Sequence, residues 1–175
     1  YLRNYASSRD PSVTARVGHE PDDLAGGRDR PATDSTREAR MATLTSFTFG
    51  TRLPGGIDEV RPRVEAALRD EGFGVLTEID VQATLKAKLG VDRDPYLILG
   101  VCSPPLAGAA LDADPSVGAL LPCNVVLREV GDETLVEAMD PLVALGITRR
   151  SAVRQVAEEA KTRLERAIAA MEVPA

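Results

Sequence analysis

Tyr96-Leu97-Ile98-Leu99-Gly100-Val101 is an unbroken apolar run, bounded by Asp94-Pro95 before it and Cys102-Ser103-Pro104-Pro105 after it. The run is short and closed by turn-forming residues, so it reads as a central strand buried on both faces. Ser103 can cap a helix that has Pro104 at its first position and carries Leu106, Ala107, Ala110 and Leu111. On the upstream side, Gly74–Ile79 reads as the preceding strand in sequence. Asp80 then caps a helix over Val81–Leu89, with Val81, Leu85 and Leu89 as its buried stripe and Gly90 as its stop.

Further out, the pattern continues in both directions. Thr43–Leu53 is rich in Thr and Phe and reads as a strand, and Pro54-Gly55-Gly56 as a turn. Ile57, Val60, Val64, Ala67 and Leu68 recur at helical spacing until Gly72, and Pro62 either kinks that helix or opens it. Downstream, Asp114-Pro115 starts a short turn or helix that ends near Leu121. Cys123–Val130 and Thr134–Met139 form a hairpin around Gly131-Asp132. Asp140-Pro141 begins a short helix stopped by Gly146. Val153, Val156, Ala157, Ala160, Leu164, Ala167, Ile168 and Met171 mark the apolar face of a long final helix, and Phe47, Phe49 and Phe73 fill the core. The order β-α-β-α-β-α-β-β-α predicts an α+β fold, a single mixed sheet of about five strands with helices packed largely on one face.

The chain has 175 residues and is 43% hydrophobic, which suits one domain with a real core. Its net charge of −6 argues against nucleic-acid binding and against attraction to an anionic membrane surface. No apolar stretch reaches the roughly 20 residues of a membrane span, and no basic-then-apolar signal opens the chain. Two cysteines do not make a disulfide framework, so the expected compartment is the cytoplasm. Residues 1–40 have little apolar periodicity and carry seven acidic and seven basic residues. They read as a disordered arm or as sequence upstream of a start at Met41, with residues 41–175 as the single folded domain. The only histidine, His19, falls in that arm and reads as a solvated loop residue.

The chemistry concentrates on the two cysteines, each at the end of an apolar strand: Cys102 before Ser103-Pro104-Pro105, and Cys123 in Leu121-Pro122-Cys123-Asn124. A thiol just before a helix start should have a lowered pKa, because free N–H groups and the dipole favour the anion there. If the two sulfurs meet, they can form a reversible disulfide, a soft-metal site or a nucleophile with its resolving partner. Two thiols fall short of the four ligands of structural zinc but suffice for linear copper(I). Each cysteine has an equally physical alternative as a small buried hydrophobe. Asn124 and Tyr96 are candidate ligand-orienting groups, or else a backbone-bonding turn residue and a core residue with its hydroxyl at the rim. Glu78 and Asp80 share one strand face and could do acid–base work or bind a cation. The structural alternatives are Asp80 as the helix cap and Glu78 paired with an arginine or Lys86, and Lys86 itself suits a helix C-terminus. Ser–His–Asp and Cys–His chemistry have no histidine within 41–175, and neither a phosphate loop nor a dinucleotide fingerprint is present.

Four runs are distinctive in order and spacing: Glu71-Gly72-Phe73-Gly74-Val75-Leu76-Thr77-Glu78-Ile79-Asp80-Val81, Thr84-Leu85-Lys86-Ala87-Lys88-Leu89-Gly90-Val91, Pro95-Tyr96-Leu97-Ile98-Leu99-Gly100 and Leu120-Leu121-Pro122-Cys123-Asn124-Val125-Val126. Together they resemble the small prokaryotic family of domain of unknown function 302, from about Thr43 to Gly146 and more loosely through the final helix. The resemblance implies a compact α+β domain that is often dimeric, and implies no settled activity. The family's usual Cys-Asn-Pro-Pro appears here as Cys102-Ser103-Pro104-Pro105. Serine caps a helix as well as asparagine, but a ligand contact made by that amide would not carry over.

Three functions therefore stand as expectations. The first is a domain binding a small ligand or soft metal near Cys102, Ser103, Cys123 and Asn124, with Glu78 and Tyr96 as further candidates. The second is a thiol-dependent enzyme or sulfur-handling protein with Cys102 as nucleophile. The third is a homodimeric interaction or regulatory domain, joined through the sheet or the last helix, without chemistry.

Overall fold

The computed structural model describes residues 42, 43 and 45–172. The readings of residues 1–40 and of His19 fall outside them. One sheet organises the described residues: β1 (Ala42–Thr43), β2 (Thr48–Pro54), β3 (Gly74–Asp80), β4 (Tyr96–Cys102), β5 (Cys123–Val130) and β6 (Glu133–Met139), in the order β1-β2-β6-β5-β4-β3. The helices are α1 (Ile57–Asp70), α2 (Val81–Leu89), α3 (Pro104–Ala113), α4 (Pro141–Leu145) and α5 (Ser151–Met171), with a 3-10 turn at Pro115–Leu120. The α+β class and the single sheet stand. Every pairing in the sheet is antiparallel rather than mixed. The reason is visible at β3 and β4, where Asp80 at the end of β3 lies opposite Leu97 near the start of β4. The chain returns through α2 to the end of the sheet it left, whereas a parallel neighbour requires a crossover to the opposite end.

One sheet face holds the core. Leu97, Leu99 and Val101 of β4 alternate with Tyr96, Ile98 and Cys102, and only the first set is fully buried. It packs with Val125, Leu127, Val136 and Ala138 against Val64 and Leu68 of α1 and Leu164 and Ile168 of α5. The apolar run is thus buried on one face and half-buried on the other, because the helices cover a single side. A satellite cluster joins Ala110, Val117, Leu145, Val153 and Ala157 across α3, the 3-10 turn, α4 and α5. The predicted face of α5 is buried throughout except for Val156, which is half-buried. Phe49 and Phe73 are core residues, but Phe47 precedes β2 and is 54% exposed.

Local chemistry sets the ends of the elements. α1 starts at Ile57 and carries Pro62 in its interior, so Pro62 does not open it. Its N-cap is Gly56, which has no side chain to offer, and the Ile57 N–H donates to Glu129 Oε1 of β5 at 2.9 Å. At the other end Gly72 adopts φ 83°, and the Phe73 N–H donates to the Leu68 carbonyl at 2.9 Å, which closes the last turn. Asp80 caps α2 by accepting the Ala83 N–H at 2.7 Å, and Gly90 ends it at φ 68°. The expected stripe of α2 is not buried: Val81 and Leu85 are half-buried and Leu89 is exposed. All seven residues of β3 are exposed as well. β3 lies at the sheet edge and α1 reaches only part of it, which sequence periodicity cannot register.

Candidate functional site

The ends of β4 and β5 bring three of the candidate residues together. Val101 lies opposite Cys123, so Cys102, Ser103 and Cys123 crowd the point where β4 runs into α3. All three line one cavity of about 30 Å³, walled by Phe73, Leu106 and Ala110 and closed by Leu121, Val156 and Ala160. That volume holds one or two water-sized groups. The Leu121–Pro122 peptide bond beside it is cis.

Ser103 is the unusual member of this group. It sits at the N-cap position of α3 with extended backbone, yet its side chain makes no capping hydrogen bond. It is 3% exposed, and its Oγ has no hydrogen-bond partner. A buried hydroxyl left in this state costs roughly 1–3 kcal/mol. A second feature explains why the helix start is a poor anion site. Pro104 and Pro105 occupy its first positions, and proline has no N–H to offer.

Both cysteines are free thiols. Burial pushes the Cys102 pKa up, against the expectation of a lowered value, and the proline pair at the start of α3 offers no N–H to oppose that shift. Burial and the neighbouring Cys102 push Cys123 up to about 11. Both groups are therefore protonated near neutral pH. Strand alternation turns Cys123 toward the core face with Val125, where it packs against the core, as Leu106 does. Cys102 borders the same cavity but alternates away from Val101 and Ser103.

The other candidates lie elsewhere. Asn124 is exposed and faces Gly100 across the strand pair. Tyr96 begins β4, six residues from Cys102, or about 20 Å along the strand. With Glu78 and Asp80 it lines a separate cavity of about 260 Å³, next to Arg61 and Glu129. Neither carboxylate is idle there: Asp80 caps α2, and Arg61 grips Glu78 through two hydrogen bonds. Lys86 is paired with Asp92. Among the described residues, no group of three or more His, Cys, Asp or Glu side chains could hold a metal ion. No described helix is long and apolar enough to cross a membrane.

The cavity walls were missed in the sequence. Val156 and Ala160 belong to the stripe read as core of the last helix, and Phe73 follows a helix stop. Nothing local separates a residue that lines a void from one that fills it.

The family described as domain of unknown function DUF302 matches residues 49–171 of the chain. The crystal structure of an uncharacterized conserved DUF302 protein from Bacillus stearothermophilus is 30% identical. Its likeness covers 71% of this chain and 97% of that one, with a TM-score of 0.66. No curated protein matches the chain.

Proposed function

The chain belongs to the DUF302 family, and from that premise we propose that it is a binding module for a soft metal ion or a small ligand of comparable size. The site is the cavity at the ends of β4 and β5, with the Cys102 and Cys123 sulfurs as soft ligands and the Ser103 hydroxyl as the polar contact. One observation carries this reading: Ser103, whose buried hydroxyl has no hydrogen-bond partner, lines an apolar cavity together with two free thiols. A cavity of about 30 Å³ suits a single ion or a few atoms rather than a metabolite. Copper(I) fits the donor set, since two sulfurs satisfy it. Two-sulfur ligation requires Cys102 to turn inward at the end of β4, and it displaces thiol protons, so affinity rises with pH. Raised thiol pKa values count against Cys102 as a nucleophile at neutral pH, which ranks the thiol-enzyme reading below the binding one.

The test is competition for copper(I) against a chromophoric chelator, using wild type and the Cys102→Ser/Cys123→Ser variant. The reading expects the wild type to withdraw copper and the variant to lose that ability with its circular dichroism unchanged. Equal withdrawal by both proteins contradicts it. We also infer that the protein works as a homodimer in the cytoplasm. The support is exposed apolar surface, with Leu76 64% and Leu89 63% exposed, which a lone copy leaves in water.

A further inference from the structure

We propose that the cavity site carries its own redox switch: a hydroperoxide converts Cys102 and Cys123 to a disulfide that closes the site, and thiol reduction opens it again. The inference rests on the soft-ligand reading and names the regulation of that same site.

The sheet brings the pair within reach. Val101 and Cys123 are cross-strand partners, so Cys102 lies one residue along β4 from the position opposite Cys123. Strand spacing and rise put the two Cα atoms about 6 Å apart, inside the roughly 4.4–6.8 Å span of disulfides. Both residues border the cavity of about 30 Å³, which leaves room for a sulfur to turn into it.

Strand alternation aims Cys102 away from Cys123, so the bridge requires the end of β4 to turn. Local features confine that turn. Cys102 is the last residue of β4. The β4–β5 register stops at Val101 and Cys123, and the residue before Cys123 is Pro122, which has no N–H to extend the ladder. On its other side Cys102 meets Gly74, the first residue of β3. Among the described residues outside its chain neighbours, no atom lies within 4 Å of where a Gly74 Cβ would stand. Turning Cys102 inward therefore costs one end pair and leaves the ladder from Tyr96 to Val101 in place.

The two thiols divide the reaction by depth. Cys123 is the more buried, so Cys102 meets the oxidant first. The Cys102 sulfur attacks a peroxide oxygen, the O–O bond breaks, and the thiol proton leaves with the other oxygen as an alcohol or water. Cys102 is then a sulfenic acid. The Cys123 sulfur attacks it, the S–S bond forms, the S–O bond breaks, and the hydroxyl leaves as water with the Cys123 proton. The pair loses two electrons and the hydroperoxide gains them. With the sulfurs joined, neither thiolate remains for a soft ion.

Hydrogen peroxide treatment of the full chain tests this, followed by removal of the peroxide, mass spectrometry without reductant, and the copper(I) competition. No Lys or Arg lies between Asp94 and Arg128, so trypsin releases both cysteines in one peptide. The proposal expects that peptide to be two hydrogens lighter and closed to alkylation. It expects copper(I) withdrawal to fall to the level of the Cys102→Ser/Cys123→Ser variant, and dithiothreitol to restore both. In Cys123→Ser the reaction should stop at a Cys102 sulfenic acid, read with a dimedone label. Oxygen added to wild-type Cys102 without a bridge, or a bridge only between two copies, overturns the switch and leaves the soft-ligand reading standing. A bridged chain that still withdraws copper(I) overturns both.

Discussion

Arg61 of α1 grips Glu78 of β3 through two hydrogen bonds, Nη1 to Oε1 at 2.8 Å and Nη2 to Oε2 at 2.6 Å. The same guanidinium donates from Nε to Glu65 at 2.7 Å, and these partners, Glu78 foremost, push its pKa further up. The pair ties the exposed edge strand to the helical layer and withdraws Glu78 from acid–base chemistry. Both side chains are more than one-third exposed, so solvent screens the attraction. A double-mutant cycle with Arg61→Ala and Glu78→Ala is expected to give a coupling below about 1 kcal/mol, shrinking with salt. A coupling of several kcal/mol would place the pair in a far drier environment than described.

Glu129 caps a helix that begins seventy-two residues before it, by accepting the Ile57 N–H. Glu129→Ala should cost about 1 kcal/mol in a denaturant melt, as for loss of a side-chain cap. The cap is supplied from β5, so the loss should loosen the first turn of α1, read as faster exchange at Ile57 and Asp58. No change in either measurement would remove Glu129 from this role.

Ser103 should behave in opposite ways in stability and in binding. Its hydroxyl is buried without a partner, so Ser103→Ala is expected to stabilise the metal-free protein by about 1–3 kcal/mol. The same substitution should weaken ligand retention in the cavity. A destabilised Ser103→Ala protein would show that the hydroxyl is already satisfied, for instance by a bound water.

Cys123 gives the protein an alkaline weakness. An ordinary thiol has a pKa of 9.0, and the folded Cys123 is raised to about 11. Between those values the unfolded chain loses its proton first, so the folded state binds more protons and stability falls as pH rises. The loss should reach about 2–3 kcal/mol by pH 11. Cys123→Ala should flatten that slope. Alkylation of Cys123 at neutral pH should be slow, and rapid labelling there would contradict the buried, protonated thiol.

Element order was legible because each boundary carries its own chemistry. Asp80 with Gly90, and Asp140 with Gly146, bracket their helices as their residue types predict. The face of α5 follows from spacing alone. The misreadings share a physical origin in tertiary geometry. Leu89 obeys helical spacing but has no layer above it, and the apolar run of β4 has helices on only one side. The start of α1 hid the role of Pro62, because its cap comes from Glu129 on a distant strand. At the site, Cys102 and Cys123 were legible as strand ends, but whether they adjoin was open until the strand order set β4 beside β5. The thiol pKa direction was not legible, because burial sets it and no local motif shows burial, while Pro104 and Pro105 donate no N–H to offset it. Tyr96 and Glu78 fell away from the cysteines because strand order, which separates them, is not written in any local motif.

Native mass spectrometry tests the central claim most directly, since one spectrum reports subunit number and retained mass. The full chain would be purified without chelator, given copper(I) and exchanged into volatile buffer. The account predicts a dimer retaining one copper per chain, and a copper-free dimer for the Cys102→Ser/Cys123→Ser variant. A wild-type chain that emerges metal-free, or a variant that retains the same copper, would contradict the cavity as a soft-ligand site.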